Sequence, residues 1–344
     1  MEAKTKLGVA LVGLGEYATG ELIPALKLTQ NCHLAGLVSG EEEKLRKWQQ
    51  ECGLKDDSLY TYDDFDRIAD NPDIDIVYVV LPNAMHEEYC IRAARAGKHI
   101  ISEKPLATSV EECYRIRDAV AEANVRFSMG YRLHFDPFNQ EMMRLGQKEV
   151  FGPVQKMELL DSMDIGNNTP WRVDEERSGS GPLVNNGIYC IQAAIYITGK
   201  LPIAVEARFA PVTKPELFKE VEEGVIWTMF FEGGTTAHCE TSYSKNQNFM
   251  RAEGTEGWFE LNPAYEYGGL AGRTSSGAMD IEPVNQQARQ MDDFARCIME
   301  NSETCVPLEM GIRDMRIIEA VYESARLGQR VALDLEEFAA LPEF

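Results

Sequence analysis

Three short stretches of this chain combine residue types at spacings suited to chemistry. "GLGEYA" sets Gly13, Gly15 and Ala18 in a G-x-G-x-x-A pattern. Between a strand and a helix, that pattern binds a pyrophosphate. Gly13 permits the tight turn, Gly15 lets the backbone approach the phosphates, and Ala18 allows close helix–strand packing. The helix then turns the positive end of its dipole toward the phosphates. "SEKPLA" holds Lys104 between Glu103 and Pro105. A lysine in a dry pocket or near another cation loses its proton unusually easily, or it orients a substrate hydroxyl. "GPLVNNGIYC" joins the amide pair Asn185-Asn186 to an isolated Tyr189. Amides give and accept hydrogen bonds but exchange no proton, so proton transfer here needs another group.

The elements that must hold these groups follow from hydrophobic patterning. "LGVALVGLG", "HLAGLVSG", "DIDIVYVVLP", "HIISEKP" and "VRFSMGYR" read as strands. Four helical segments alternate with them, from "YATGELIPALKL" to "SVEECYRIRDAVAEAN". Continuous apolar strands alternating with helices predict an α/β domain, a parallel sheet covered on both faces, over residues 1–132. After about residue 135 the pattern changes to longer strands joined by turns, with helices at "GIYCIQAAIYITG", "NQQARQMDDFARCIMEN" and "EMGIRDMRIIEAVYESARLG". Residues 133–344 are therefore expected to form an α+β domain on a large, mostly antiparallel sheet.

The carboxyl ends of parallel strands are where ligands bind. Leu81 and Asn83 follow the third strand, and Glu103 and Lys104 follow the fourth. After the second strand, Ser39 and Gly40 stand where an NAD-preferring site usually has an acidic residue for the ribose 2′-hydroxyl. Lys44, one helical turn on, is placed to reach a 2′-phosphate and reads equally as an exposed helix lysine. The pattern favours NADP, with NAD as the alternative because Glu41 to Glu43 would repel a phosphate. Asn83 and His86 read as turn and helix-cap residues as readily as ligand contacts.

Composition narrows the class. The chain has 344 residues, 44% of them hydrophobic, and a net charge of −22. That is enough for two domains with cores of their own. Phosphate backbones need a basic surface, so nucleic acid is not an expected partner. No apolar run is long enough to cross a bilayer. The eight cysteines form no CxxC pair and the five histidines show no ligand spacing. Free thiols and no metal are expected. No basic-then-apolar leader precedes the first strand, so the expected compartment is the cytoplasm.

The glycine turn, "EKPLA" and "GYRLHFDPFN" together resemble the glucose-fructose oxidoreductase / inositol dehydrogenase / MocA family, most of all its glucose-fructose oxidoreductase branch. "WRVDEERSGSGPLVNNGIYCIQAAIYITGKLPIAVEA", "VIWTMFFEGG", "TSYS" and "AVYESARLGQRV" extend the likeness over nearly the whole chain. The resemblance implies a Rossmann domain followed by an open-faced sheet domain. It also implies hydride transfer between NADP(H) and a sugar or polyol, and homodimers or homotetramers built on the large sheet. The family pairs the lysine of its EKP motif with an Asp and, four residues on, a His or Tyr. Lys104 matches the first and Tyr189 the last, whereas Asn185 stands where the Asp is expected. A neighbouring ammonium favours phenolate, which would make Tyr189 a general acid/base beside Lys104. Asp161 and Asp164 are candidates for the missing charge. Trp171, Arg172 and Arg132 are implied cofactor or substrate contacts, and His134 belongs to the same neighbourhood.

The function expected on these grounds is sugar oxidation to a lactone, or the reverse on a sugar ketone. A polyol or dihydrodiol dehydrogenase is the alternative within enzymes. Outside them, Asn185 favours a non-catalytic nucleotide-binding sensor.

Overall fold

The runs Leu7–Val12 (β1), Cys32–Val38 (β2), Ile76–Val79 (β4) and His99–Ser102 (β5) are almost wholly buried. Such strands need cover on both faces, and a parallel sheet with flanking helices provides it. With Leu59–Tyr60 (β3) and Phe127–Met129 (β6) they form a six-stranded sheet in the order β3-β2-β1-β4-β5-β6. Every pair in it is parallel. Helices Ile23–Leu26 (α1), Glu42–Cys52 (α2), His86–Arg95 (α3) and Val110–Ala123 (α4) make the connections. The structure is a computed structural model that describes residues 4–166 and 170–342.

By contacts the chain falls into two units, the first running up to Ala107 and adding Glu111–Arg132 and Asn285–Leu308. The last of these segments differs from the sequence reading, which leaves it with the second domain. The reason is packing: the helix Gln286–Glu300 (α8) places Ala288, Met291, Phe294 and Ala295 in one buried cluster with Leu22, Ile23, Leu26 and Tyr78. β3 also escapes the sequence patterning, because a two-residue strand shows no periodicity.

The second unit comprises Thr108–Val110, Leu133–Val284 and the chain from Glu309 onward. Its nine-stranded sheet has the order β14-β13-β12-β11-β7-β10-β9-β8-β15. The strands are Val154–Ser162 (β7), Pro202–Phe209 (β8), Gly224–Phe231 (β9), Thr236–Ser242 (β10), Gln247–Gly254 (β11), Trp258–Leu261 (β12), Gly272–Thr274 (β13), Gly277–Ala278 (β14) and Val331–Ala332 (β15). Among the described strands of this sheet, β7 and β10 pair in parallel and the other neighbours pair antiparallel. Alternation along the strands sends one set of side chains inward, among them Met157, Leu159 and Asp161 of β7. Helices Pro137–Gln147 (α5) and Ile188–Thr198 (α7) cover that face, and α7 is buried from Ile188 to Ile197. Glu175–Ser178 (α6) and Leu308–Leu327 (α9) complete the unit. α5 is absent from the sequence reading, although its start carries a cap: Asp136 accepts from the backbone N–H of Phe138 and Asn139, and Pro137 opens the first turn.

The turn after β1 depends on glycine. Gly13 sits at φ +100°, and a Cβ there would lie 2.3 Å from the Val80 carbonyl oxygen. Gly13→Ala is expected to destabilise the protein by about 2 kcal/mol or more. A urea midpoint unchanged from wild type would count against this reading of the turn.

Candidate active site

Strand order in the first unit reverses beside β1, so the helices leaving β1 and β4 diverge and open a crevice at their carboxyl ends. The predicted cofactor residues of this unit lie at that edge. Gly13 and Gly15 follow β1, and the helical stretch that begins there includes a π-helical turn, Ala18–Leu22. Ala18 is wholly buried, and around the place of a Cβ on Gly15 there is open space. A close approach by a phosphate group needs such space. Beyond β2, the buried Ser39 hydroxyl oxygen accepts from the Glu41 N–H at 3.1 Å. Gly40 is exposed, and Lys44 forms an ion pair with Glu41 at 2.6 Å. Leu81 and Asn83, both buried, follow β4.

His86 is fully buried and braces this edge. Its Nδ1 lies 2.7 Å from the Pro105 carbonyl oxygen and its Nε2 lies 2.9 Å from that of Leu81. Burial holds its imidazole below the usual histidine range. His86 is an interior histidine between two loops, and as a neutral imidazole it donates to one of the two carbonyls.

Glu103 and Lys104 follow β5, and their side chains differ in setting. Lys104 is half-buried. Glu103 is buried, and its Oε1 accepts from the Tyr78 hydroxyl at 2.8 Å. The Tyr78 oxygen accepts in turn from Nε2 of Gln290 at 2.8 Å. Burial pushes the Glu103 carboxyl up, against the pull of the Tyr78 hydroxyl, Lys104 and Arg132. Arg132 is itself buried and donates from Nη1 to Gln286 Oε1 at 2.5 Å. Gln286 and Gln290 stand one turn apart on α8, a spacing that puts both on one helix face. Sequence reading missed Tyr78 and both glutamines. The i, i+4 glutamine pair in "NQQARQ" was the available signal.

In the second unit Asp174 caps α6, and just before it Trp171 and Arg172 stack, with the guanidinium 4.7 Å from the ring centroid. Leu183–Gly187 forms a second π-helical turn, leading into α7. Such turns are common at functional sites. Asn185 and Asn186 on this turn are part-exposed, whereas Tyr189 on α7 is buried with its ring centroid 6.2 Å from that of Tyr265.

The amides are linked. Asn185 Nδ2 donates to Asn186 Oδ1 at 3.1 Å, and Asn186 Nδ2 donates to Asp161 Oδ1 at 3.4 Å. Asn185 is also hydrogen-bonded to the buried Tyr243. Burial drives the Tyr243 phenol well above its usual range, opposed by Arg172 and by the bond from Asn185. Asp164, the other carboxylate considered for this role, pairs with Lys214 at 3.4 Å instead. His134 stacks edge-on against Tyr196, a packing role.

The chain entering this turn is pinned by Glu222. Its carboxylate accepts from the Tyr322 hydroxyl at 2.7 Å and from the backbone N–H of Gly181 at 3.2 Å and Leu183 at 3.4 Å. Glu222 and Tyr322 border a cavity of about 530 Å³ in the second unit. Other carboxylates on its wall are committed too: Glu223 accepts from the Lys214 N–H at 3.1 Å and Glu319 from that of Val110 at 2.9 Å. Among the described residues no cluster of His, Cys, Asp and Glu could hold a metal ion, and no helix is long and apolar enough to cross a membrane.

Residues 7–131 match an oxidoreductase family described by its NAD-binding Rossmann fold, and residues 139–260 match the GFO/IDH/MocA C-terminal domain. The NADP(+)-dependent D-xylose 1-dehydrogenase of Haloarcula marismortui is 27% identical, over 94% of this chain and 92% of its own. A crystal structure of aldose-aldose oxidoreductase from Caulobacter crescentus, complexed with glycerol, is 39% identical. It covers 95% of this chain and 100% of that one, with a TM-score of 0.93. Levoglucosan dehydrogenase in complex with NADH and levoglucosan shares the fold, with a TM-score of 0.81 at 22% identity over 95% of this chain and 99% of that one. With both of its domains matched and a relative of this identity spanning almost all of it, the chain belongs to the GFO/IDH/MocA family of oxidoreductases.

Proposed function

We propose that this protein is an NADP-dependent sugar oxidoreductase that converts an aldose to its lactone, or works in reverse on a sugar ketone. The observation that carries this reading is the near full-length likeness, at 39% identity, to an aldose-aldose oxidoreductase. The NADP(+)-dependent xylose dehydrogenase relative supports both the sugar and the cofactor. The first unit, which includes Asn285–Leu308, serves as the dinucleotide-binding domain, and the second provides substrate binding and assembly.

The residues present fit a dinucleotide. Gly13 and Gly15 open the helix N-terminus to the pyrophosphate, and Ala18 keeps that helix close to the sheet. Ser39, Gly40 and Lys44 receive the 2′-phosphate, Lys44 exchanging Glu41 for it. Leu81, Asn83 and Glu103 shape the strand edge, and Trp171 with Arg172 adds a stacking face and a hydrogen-bond fork. When bound, the nicotinamide takes up or returns the hydride. Lys104 holds the oxygen of the reacting carbon, and Tyr189 exchanges its proton. Asn185 and Arg132 hold neighbouring hydroxyls.

The outer face of the large sheet supports self-association. Leu160, Ile226, Phe230 and Phe249 are only part-buried there, which is apolar surface suited to a second copy. We read the assembly as a homodimer or homotetramer through this face. The compartment we assign is the cytoplasm, in keeping with eight free thiols.

The direct test is a panel of aldoses and polyols with NADP+ and NAD+, followed by nicotinamide absorbance. Aldose-dependent reduction of NADP+ is expected. Nucleotide binding with no turnover on any substrate would favour the non-catalytic reading that Asn185 invites. Tyr189→Phe should lower kcat by about 100-fold or more with NADPH affinity intact; a rate near wild type would remove Tyr189 from proton transfer. Gly15→Ala, with open space at its Cβ, should leave the urea midpoint unchanged and weaken NADPH binding by about tenfold or more. Equal affinity would place the pyrophosphate elsewhere. Sedimentation should give a multiple of the chain mass, and Phe230→Asp should reduce it; a monomeric wild type would refute assembly through the sheet.

A further inference from the structure

Glu103 is buried at the end of β5, and every side of its carboxylate is built by the first unit. Its backbone N–H donates to the Val79 carbonyl at 3.0 Å, which extends the pairing of β5 with β4. After β6, a Cβ on Gly130 would lie 2.8 Å from Glu103 Oε1, so the carboxylate lies against bare backbone there. Both carboxylate oxygens meet donors. Oε1 accepts from the Tyr78 hydroxyl at 2.8 Å, and Oε2 accepts from the Lys104 backbone N–H at 3.3 Å. Tyr78 is wholly buried, and so is Gln290, whose Nε2 donates to the phenol oxygen at 2.8 Å. A phenol has one proton to give. With its oxygen accepting from Gln290, that proton goes to Glu103. An ionised carboxylate only accepts hydrogen bonds, so this order of bonds suits the anion. A protonated Glu103 would reverse the order. The acid proton would go to the phenol oxygen, and the phenol proton to Gln290 Oε1, a buried oxygen with no partner among the described residues.

We propose that Tyr78 and Gln290 are positioning residues: through them α8 holds the Glu103 carboxylate as an anion behind Lys104, and turnover requires that anion. This rests on the sugar oxidoreductase reading above and adds to it a group that must be ionised. The anion serves Lys104 in two ways. Its Oε2 fixes the backbone N–H from which the lysine side chain departs, and its charge attracts the ammonium that holds the oxygen of the reacting carbon. Burial opposes the anion and pushes the Glu103 carboxyl up, while the groups that face it, Tyr78, Lys104 and Arg132, pull it down. Two further titratable groups stand behind these: Tyr17 acts on Tyr78, and His86, its imidazole held low by burial, is acted on by Lys104. Glu103 takes up a proton as pH falls through its raised value, so the rate is lost on the acid side.

The test reads Glu103 directly and through the rate. Infrared difference spectra of wild type against Glu103→Gln isolate the carbonyl band of the protonated Glu103 carboxyl as pH is lowered. The kcat for an aldose with NADP+ is followed over the same range. The wild-type rate is expected to fall on the acid side with the midpoint of that band, and Glu103→Gln should lower kcat by about tenfold and lose this acid limb. Tyr78→Phe keeps the ring and removes the donor, so both midpoints should move up by about one pH unit. A merely structural Tyr78 would lower the rate equally at every pH. Were Tyr78→Phe too unstable to purify, Gln290→Glu perturbs the same chain. It sets a second carboxylate on the same phenol, the two share a proton, and both midpoints must again move up. An infrared midpoint equal to that of wild type in the variant overturns the proposal, as does a rate limb that stays in place while the band moves. Wild-type protein that turns over no aldose overturns the sugar reading and this inference together, whereas normal wild-type turnover with unmoved midpoints in the variants overturns this inference alone.

Discussion

Strand order reverses beside β1, with β2 and β4 both running parallel to it on either side. Helices that follow the two halves of such a sheet must pack on opposite faces and leave a crevice where they part. Each sequence feature of the first unit depends on this geometry. Gly13 takes its positive φ because the chain must turn at once past the Val80 carbonyl. Lys104 reaches the same edge because β5 ends in register with β4. The two conditions are independent in sequence and become one site only through the parallel register.

Polar groups placed at strand ends near a core must be satisfied, because an unpaired buried group costs about 1–3 kcal/mol. Both units meet part of that demand with short chains of side chains. In the first, Gln290, Tyr78 and Glu103 form one such chain behind Lys104. In the second, Asp161, Asn186, Asn185 and Tyr243 form another, while Tyr322 and Glu222 hold the turn that leads into it. A chain of this kind limits each member to one orientation. It sets which atom of an amide or which face of a carboxyl is available to a ligand, a distinction that residue identity alone leaves open.

The sheet architecture was legible because its causes are local. Continuous apolar runs declare β1, β4, β5 and β9, and alternation of polar with apolar residues declares β10. The glycine turn and the EKP lysine were legible for the same reason, since each motif lies at the end of a strand already recognised. α5 was passed over although Asp136-Pro137 announces its start, because its apolar residues follow directly on the boundary between two patterns. The placement of α8 in the first unit was hidden: its buried stripe fits either core, and only the cluster around Leu22 and Tyr78 decides. Around the candidate site, Tyr78 and Tyr243 gave no signal because their roles consist of tertiary hydrogen bonds, whereas Gln290 was signalled only by its i, i+4 spacing from Gln286. Asp161 was visible as a candidate charge, and what the sequence lacked was the order of bonds joining it to Asn185.

The chain's net charge of −22 opposes a polyanionic cofactor at long range, and the resolution lies in how far that charge acts. Fixed charges on the surface are screened within about 8 Å at physiological salt, so only groups at the site itself weigh heavily. The helix after β1 contributes a partial positive charge of about half a unit at its start. The ion pair of Lys44 with Glu41, 2.6 Å apart on an exposed surface, is a weak one by type, at about 0–1 kcal/mol. A ribose 2′-phosphate carries more charge than a carboxylate and can also accept the proton of the Ser39 hydroxyl, whose oxygen is oriented by the Glu41 N–H. If the proposed site holds that phosphate, exchange of Glu41 for it would gain a hydrogen bond that the carboxylate does not make. On the proposed placement of the 2′-phosphate, an acidic residue in place of Ser39 would reverse that balance, and the choice between the two nicotinamide dinucleotides would turn on a neutral hydroxyl at the end of β2 rather than on the charge of the whole protein.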